Sequence, residues 1–352
     1  EKDERMREYQ DIRSYDIDVL RELMTGLGEK PFKAGQLYEW LHKKQASSYE
    51  EMTNLSKVLR KRLQEEHPLW KMEAVQVQTS RIDGTKKFLF RLRDGYVIES
   101  VWMKYQHGNS VCISSQVGCR MGCRFCASTI GGLTRNLEPA EMLEQIYGIR
   151  RLTKERISNV VVMGTGEPLD NYENLVRFIR LVSDEKGFGL SQRSVTVSTC
   201  GIVPKIYQLA QEHFSITLAI SLHAPNDESR KRLMPVANRY TIGEIMEACR
   251  VYFKETGRRI SFEYSLVAGE NDGMSDAKEL AELLKGHNCH VNLIPVNPVR
   301  ERSFVQSDKK VVEKFKNKLE KYGINVTIRR EMGRDIDGAC GQLRRSYLDN
   351  LK

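Results

Sequence analysis

The sequence predicts an α/β protein: a full or partial (β/α) barrel, with a small N-terminal helical domain before it and a short β linker between them. Three patterns carry that expectation. From about residue 110 onward, β-branched runs of strand length alternate with amphipathic runs of helix length. Regular alternation implies parallel strands joined by right-handed crossovers, and six or more such units favour a full or partial barrel over an open sheet. Residues 1–70 instead carry apolar residues at helical spacing. Between the two regions, short alternating runs are broken by Asp83-Gly84 and Asp94-Gly95, dipeptides that mark hairpin turns. The expected organisation is a helical accessory domain over 1–70, a β linker over 71–105 and the barrel over 106–352.

Taken in order, helices are expected over 16–24, 32–44 and 55–63. Pro31 opens the second, where a missing N–H costs least, and Pro68 closes the region. Linker strands are expected over 74–79, 86–93 and 97–104. Barrel strands follow at 111–115, 158–163, 194–198, 216–221, 260–266, 290–295 and 326–330. Between most of them lie helices at 139–152, 172–181, 203–213, 242–256, 276–285 and 309–322. No low-complexity stretch or convincing short repeat interrupts the pattern.

Composition narrows the class. The 352 residues are 40% hydrophobic and 29% charged, ordinary for a soluble globular chain. Apolar runs such as 160–163 fall far short of the roughly 20 residues of a membrane helix, so a transmembrane protein is not expected. The amino end, EKDERMREYQDIRSYD, has no apolar core and does not read as a secretory signal. A cytoplasmic protein is expected. Lys and Arg number 56 against 47 Asp and Glu, a net +9 that suits a polyanionic partner without proving one. With no export signal, and a chain long enough to bury a core without staples, the eight cysteines read as thiols, metal ligands or catalytic groups.

Their spacing sharpens this. CRMGCRFC over 119–126 places Cys119, Cys123 and Cys126 in one short loop just after a predicted strand. Three thiolates so spaced can wrap a [4Fe–4S] cluster and leave one iron open to a substrate. A structural zinc ion is the competing reading, but it wants four closed ligands, and His107 and Cys112 both precede the loop.

The CxxxCxxC loop is similar to that of radical S-adenosylmethionine (SAM) enzymes, whose core is a full or partial (β/α) barrel. VCISSQVGC over 111–119, RNL over 135–137, MGTGEPLDN over 163–171, SLHA over 221–224, RLMP over 232–235 and DIDGACGQL over 335–343 together resemble the RlmN/Cfr family. These are radical SAM methyltransferases of adenosine in ribosomal RNA, and the resemblance runs from about residue 18 to 345. Within the family the chain looks like the RlmN branch. Pro168 is kept where Cfr-type resistance enzymes tend to carry another residue, and VNLIPVN over 291–297 and TIRR over 327–330 also resemble that branch. The branch methylates C2 of an adenosine in the peptidyl-transferase centre of 23S rRNA and of an adenosine beside the anticodon in some tRNAs. Cfr-type enzymes methylate C8 of the same ribosomal base.

The resemblance implies a site. One [4Fe–4S] cluster sits on Cys119, Cys123 and Cys126, and two SAM molecules serve each turnover. SAM contacts fall on Gly166, Glu167, Ser198, Ser221, Leu222, His223 and Asn297. The glycines let backbone approach a ligand, and Glu167 receives the ammonium of the bound amino acid. Polar residues at the carboxyl ends of barrel strands are where such a fold keeps its chemistry. Carbon 2 of adenine is not nucleophilic, so direct transfer from SAM fails. The first SAM methylates Cys340. The second, bound to the open iron, is cleaved reductively to a 5′-deoxyadenosyl radical, which takes a hydrogen from that methyl. The methylene radical adds to adenine and a covalent enzyme–RNA thioether forms. Glu99 takes the proton from C2. Cys112 then attacks Cys340, releasing product and leaving a Cys112–Cys340 disulfide.

Without the resemblance, Glu99 reads as a solvated strand glutamate, His223 and the serines as structural, and Cys340 as an inert thiol. Cys200, Cys249 and Cys289 read as structural. Basic helices over 33–44 and 56–62, with Arg329, Arg330, Arg334, Arg344 and Arg345, are expected to grip RNA phosphates. The partners implied are 23S rRNA, tRNA and a reducing electron-transfer protein. Two other classes stay in view: a radical SAM enzyme acting on a small molecule or protein, and a non-catalytic iron–sulfur RNA-binding protein, for which Glu99, Cys112 and Cys340 would be superfluous.

Overall fold

A computed structural model describes residues 11–296, 303–336 and 341–349. The front of the chain folds into α1 (Ile17–Gly26), α2 (Lys33–Tyr38) and α3 (Lys57–Glu66). Asp16 Oδ1 accepts the N–H groups of Asp18 and Val19, and Ser56 Oγ accepts that of Leu59. Both caps satisfy donors that a first helical turn leaves unpaired. α2 runs on through one π turn, Glu39–Lys43, so the helix expected over 32–44 is one continuous element.

Strands β1 (Glu73–Thr79), β2 (Lys86–Arg91), β3 (Val97–Tyr105) and β4 (Gly108–Ile113) pair antiparallel in succession. β5 (Gln116–Gly118) and β6 (Leu133–Asn136) form a separate two-stranded sheet. From β4 onward the main sheet is parallel. It adds β7 (Asn159–Val162), β8 (Val195–Thr199), β9 (Thr217–Ser221), β10 (Ile260–Leu266), β11 (Cys289–Pro295) and β12 (Val326–Ile328), in that order. The three linker strands therefore continue the barrel sheet, because the β3–β4 hairpin pairs them directly with the first parallel strand and leaves that strand no open edge. β12 does not close back onto β4, so the barrel is partial.

The crossovers are α4 (Pro139–Thr153), α5 (Tyr172–Ser183), α6 (Val203–Gln211), α7 (Asp227–Leu233), α8 (Ile242–Thr256), α9 (Met274–Leu284) and α10 (Lys309–Lys321); α11 (Gln342–Asp349) ends the described chain. Most bury one apolar stripe, while α4 is buried along most of its length and α7 turns Arg230 inward with Leu233. In α5, Leu175, Phe178, Ile179 and Val182 recur at helical spacing and are buried. One hydrophobic core runs unbroken from the front helices into the barrel.

Polar groups fix the front domain to α4. The Arg13 guanidinium is buried, and its Nε lies 3.0 Å from Asp11 Oδ1 while Nη1 reaches Glu144 of α4. Arg151 also donates to Glu144. Burial alone would raise the Asp11 carboxyl; the Arg13 charge beside it holds it below the usual range. Breaking such a buried pair typically costs about 3–5 kcal/mol. Ala140 donates its N–H to Ser14 Oγ at 3.0 Å, and the Tyr147 hydroxyl meets His42 Nδ1 at 2.9 Å.

Candidate active site

The cysteine loop is pinned at both ends by β5 and β6, where Gln116 pairs with Asn136 and Val117 with Arg135. The strand-to-loop turn demands glycine at 118: φ is 79°, and a Cβ there would stand 2.0 Å from the Gly132 carbonyl oxygen. Inside the loop, Cys119 N–H donates to that same carbonyl at 3.0 Å, and Thr129 Oγ1 donates to the Cys126 carbonyl, also at 3.0 Å. Arg124 N–H donates to the Leu233 carbonyl at 2.9 Å, which seats the loop on the end of α7.

Two motif residues with no role in the sequence reading tie this loop to the Gly-Glu-Pro turn after β7. Asp170 accepts the Arg120 guanidinium and, at 3.1 Å, Gln116 Nε2. Gln116 Oε1 in turn accepts the Glu167 N–H at 2.8 Å. Gly166 has φ 115°, and a Cβ there would meet Ser115 Oγ at 2.7 Å. The close approach that requires glycine is therefore to the 115–116 backbone, where the sequence reading expected a ligand; Gly166 also lines the cavity.

That cavity has a volume of about 310 Å³ at the carboxyl ends of the parallel strands. It is large enough for a drug-sized ligand. Cys119, Cys123 and Cys126 line it, with Cys112, Gly166, Glu167, Ser198, Ser221 and His223. Wall residues come from β3 round to Arg329 and Arg330 beyond β12, so the sheet must curve about it. Among the described residues, no three His, Cys, Asp or Glu side chains converge as a single ion would require. Three thiolates serving three different irons need not converge. Burial pushes the Cys119 thiol up to about 12 and raises Cys123 as well, so without metal these two thiols are protonated and would release protons on taking it up.

Glu167 is buried, and burial raises its carboxyl above the ordinary range despite N–H donors from Cys200 at 2.8 Å and Leu169 at 3.1 Å. A cation arriving there would relieve that cost. Ser198 and Ser221 hydroxyls lie 3.3 Å apart on neighbouring strands. His223 is held with φ 56°, its Nδ1 accepting the Ser265 N–H at 2.9 Å. That bond places the ring proton on Nε2. Burial, then the Arg230 charge, brings its pKa to about 3, so the ring is neutral at working pH.

Leu222 stands differently from Ser221 and His223. Its side chain is in the hydrophobic core and does not line the cavity. Its N–H donates to the Glu263 carbonyl and its own carbonyl accepts Arg230 Nε. Strand alternation is the reason: Ser221 faces the cavity, so its neighbour faces away. Asn297 and Cys340 lie outside the described residues.

Glu99 is two residues from Val101 on the same face of β3, and Val101 lines the cavity opposite Cys112. Glu99 itself is not part of the lining. It is buried, 3.2 Å from Lys87 Nζ, and accepts the N–H groups of Gly341 at 2.7 Å and Arg344 at 2.6 Å. It thus caps α11 from another strand. Gly341, the residue after Cys340, packs so closely on the backbone of Ser128 that a Cβ would stand 2.7 Å from Ser128 N.

Three further cavity residues escaped the sequence reading. Glu263 is a buried carboxylate on β10, raised by burial and bonded to Asn292 Nδ2 at 2.9 Å. Met163 and Ser265 complete the floor. A lone charge inside the otherwise apolar-and-small run ISFEYSL was the available signal for Glu263.

A partial (β/α) barrel with a three-cysteine loop at the carboxyl ends of its strands defines a radical SAM enzyme, and the Radical SAM superfamily profile matches residues 113–284. The profile of the ribosomal RNA large subunit methyltransferase N-terminal domain matches residues 10–68. A protein of Lachnospira eligens described as a probable dual-specificity RNA methyltransferase RlmN is 64% identical over 341 residues, covering 97% of each chain. One of Lachnoclostridium phytofermentans with the same description is 60% identical over 339 residues, 96% of this chain and 95% of its own. The crystal structure of a radical SAM methyltransferase from Sphaerobacter thermophilus superposes with a TM-score of 0.91 at 43% identity, covering 94% of this chain and 98% of that one. The chain belongs to the RlmN family of radical SAM methyltransferases. Its family chemistry uses a [4Fe–4S] cluster and SAM.

Proposed function

We propose that the protein methylates C2 of an adenosine in the peptidyl-transferase centre of 23S rRNA and of an adenosine beside the anticodon in tRNAs. The relatives' shared description as dual-specificity RNA methyltransferases supports RNA as substrate. The observation that carries the two-cysteine chemistry is the placement of Cys112 in the same cavity as the three loop thiols, with Gly341 packed at that cavity's Ser128 wall.

The donor set fits the expected cofactors: three cysteines in a pinned loop, a buried carboxylate for an ammonium group, and a buried guanidinium nitrogen, Arg230 Nη1, with no partner among the described residues. Cys119, Cys123 and Cys126 would hold the cluster, and Glu167, Ser198, Ser221 and His223 would hold SAM. When bound, the pair supplies one-electron cleavage and with it a radical able to take hydrogen from an unactivated methyl group. Two SAM molecules serve each turnover, one as methyl donor to Cys340 and one as radical source.

The chain's own residues do the rest. Cys340 carries the one-carbon unit and forms the bond to adenine. Glu99 accepts the C2 proton, and to do so it must loosen its hold on the Gly341 and Arg344 N–H groups. Proton transfer and release of the Cys340 segment are then one event. Once the adduct has given its odd electron back to a one-electron carrier, the Cys112 thiolate attacks the Cys340 sulfur: an S–S bond forms, the S–C bond breaks, its electron pair stays with the methylene carbon, which takes up a proton to become methyl, and methylated base leaves. The basic front helices and the Arg329–Arg330 pair at the cavity offer phosphate contacts. Low-potential electrons come from a reducing protein partner, and thiol chemistry of this kind suits the reducing cytoplasm.

The test is mass spectrometry of adenosines in rRNA and tRNA treated with reconstituted enzyme, SAM and reductant. 2-Methyladenosine is expected. 8-Methyladenosine as the main product moves the chain to Cfr-type chemistry, and no RNA product at all removes the reading.

A further inference from the structure

Arg230 is the largest fully buried side chain among the described residues, and it has no ion pair among them. Its Nε donates to the Leu222 carbonyl at 3.1 Å, and its Nη2 to the carbonyls of Cys200 at 2.6 Å and Ser221 at 3.3 Å. Nη1 is buried with no hydrogen-bond partner. Burial lowers the guanidinium's pKa, yet arginine stays charged in proteins. The nearest acid to act on it, Asp227, already accepts the Ile242 N–H at 2.7 Å. A full positive charge thus sits inside the fold, hydrogen-bonded only to backbone carbonyls among the described residues. Such a charge costs several kcal/mol unless something anionic compensates it.

Its position says what that anion is. Arg230 lies on α7, whose last carbonyl, Leu233, receives the Arg124 N–H from within the cysteine loop. Cys123 packs against Cys200, Leu233 and Met234 at the same place. Cys200, whose carbonyl Arg230 grips, lines the cavity together with Cys123. Two strand ends that line the cavity, at Cys200 and Ser221, carry the carbonyls it grips.

We infer that Arg230 is a positioning residue whose fixed charge compensates the anionic iron–sulfur cluster on Cys119, Cys123 and Cys126 and sets its reduction potential. This rests on the reading of that loop as a cluster site. A cluster with three thiolate ligands becomes more negative by one charge when reduced, so a nearby fixed cation favours the reduced form. The same fixed charge beside the loop attracts the net-negative cluster as a whole and so favours retention of iron. A residue that only braced three carbonyls would do neither.

The experiment is an EPR-monitored redox titration of anaerobically reconstituted wild type, Arg230→Lys, Arg230→Gln and Arg230→Met, without SAM, alongside iron content and circular dichroism of the cluster-free proteins. Both neutral variants are expected to shift the one-electron reduction equilibrium at least tenfold toward the oxidised cluster, about 59 mV to lower potential, with Arg230→Lys much nearer wild type. Neutral variants that fold but lose iron, while Arg230→Lys keeps it, support the inference equally. An unchanged potential in a folded neutral variant overturns it. So does unfolding of the cluster-free neutral variants, which would make Arg230 a brace. If wild type takes up no cluster, the cluster reading itself fails, an outcome separate from these.

Discussion

Two buried arginines mark two regions of this molecule, and they are buried on opposite terms. Arg13, where the front helices meet α4, is enclosed by Asp11 and Glu144, with Arg151 completing the network on Glu144. Arg230, under the cysteine loop, has only carbonyl dipoles and one nitrogen with nothing to bond. The first region pairs its buried arginine with carboxylates as the chain folds, although Arg151 Nε there is also left without a hydrogen-bond partner. The second is complete only when an anion arrives. A buried charge that the protein itself satisfies holds the fold, and one it leaves unsatisfied awaits a ligand.

The most severe effects are expected at the loop. Cys119→Ala, Cys123→Ala and Cys126→Ala should each abolish cluster retention and SAM cleavage completely, while the cluster-free protein keeps its helical signal, since the front-domain network is untouched. Iron analysis and product chromatography check this, and full activity in any of the three removes the radical SAM site. Gly118→Ala should come close, because its Cβ has no room against Gly132; iron content reads the loss.

At the other region, Glu144→Ala leaves the Arg13 charge half-paired and should cost about 3–5 kcal/mol in a denaturant titration without altering iron content of the folded protein. If it costs nothing, burying an under-compensated arginine is cheap here and the contrast with Arg230 loses its force. A smaller effect is expected at Glu167. Its raised pKa means that it is protonated at a higher pH than an ordinary carboxyl, and only the ionised form attracts an ammonium group. SAM affinity should therefore fall as pH drops into the acidic range. In Glu167→Gln it should be about tenfold weaker and flat with pH over that range, as equilibrium dialysis would show. The smallest change belongs to the solvent-exposed Arg62–Glu66 pair, at 2.8 Å: Glu66→Ala should move stability by less than about 1 kcal/mol.

The chemistry of the loop was legible because short-range spacing alone places three thiols in one turn. The alternation of strand and helix was legible too, since each unit is long enough to show its period. β5 and β6 were not: at three and four residues they carry no period. α7 reads as DESRKRL, a charged surface helix, and nothing local marks Arg230 as the basic residue that turns inward with Leu233. The inward turn of the Leu222 side chain was also legible, because Ser221 ends its strand facing the cavity and the next residue alternates to the other face. Glu99 shows the opposite limit: its partners Lys87, Gly341 and Arg344 come from distant parts of the chain, and only the fold brings them together.

The central proposal is that RNA is methylated in this cavity through a covalent enzyme–RNA link that Cys112 resolves. The decisive experiment runs Cys112→Ala, purified from cells, on a denaturing gel with and without nuclease. A nuclease-sensitive protein–RNA conjugate is expected that resists thiols, because the link is a thioether, and none in Cys340→Ala, which cannot carry the carbon. Normal turnover by Cys112→Ala with no conjugate would contradict the resolving role and the covalent route with it.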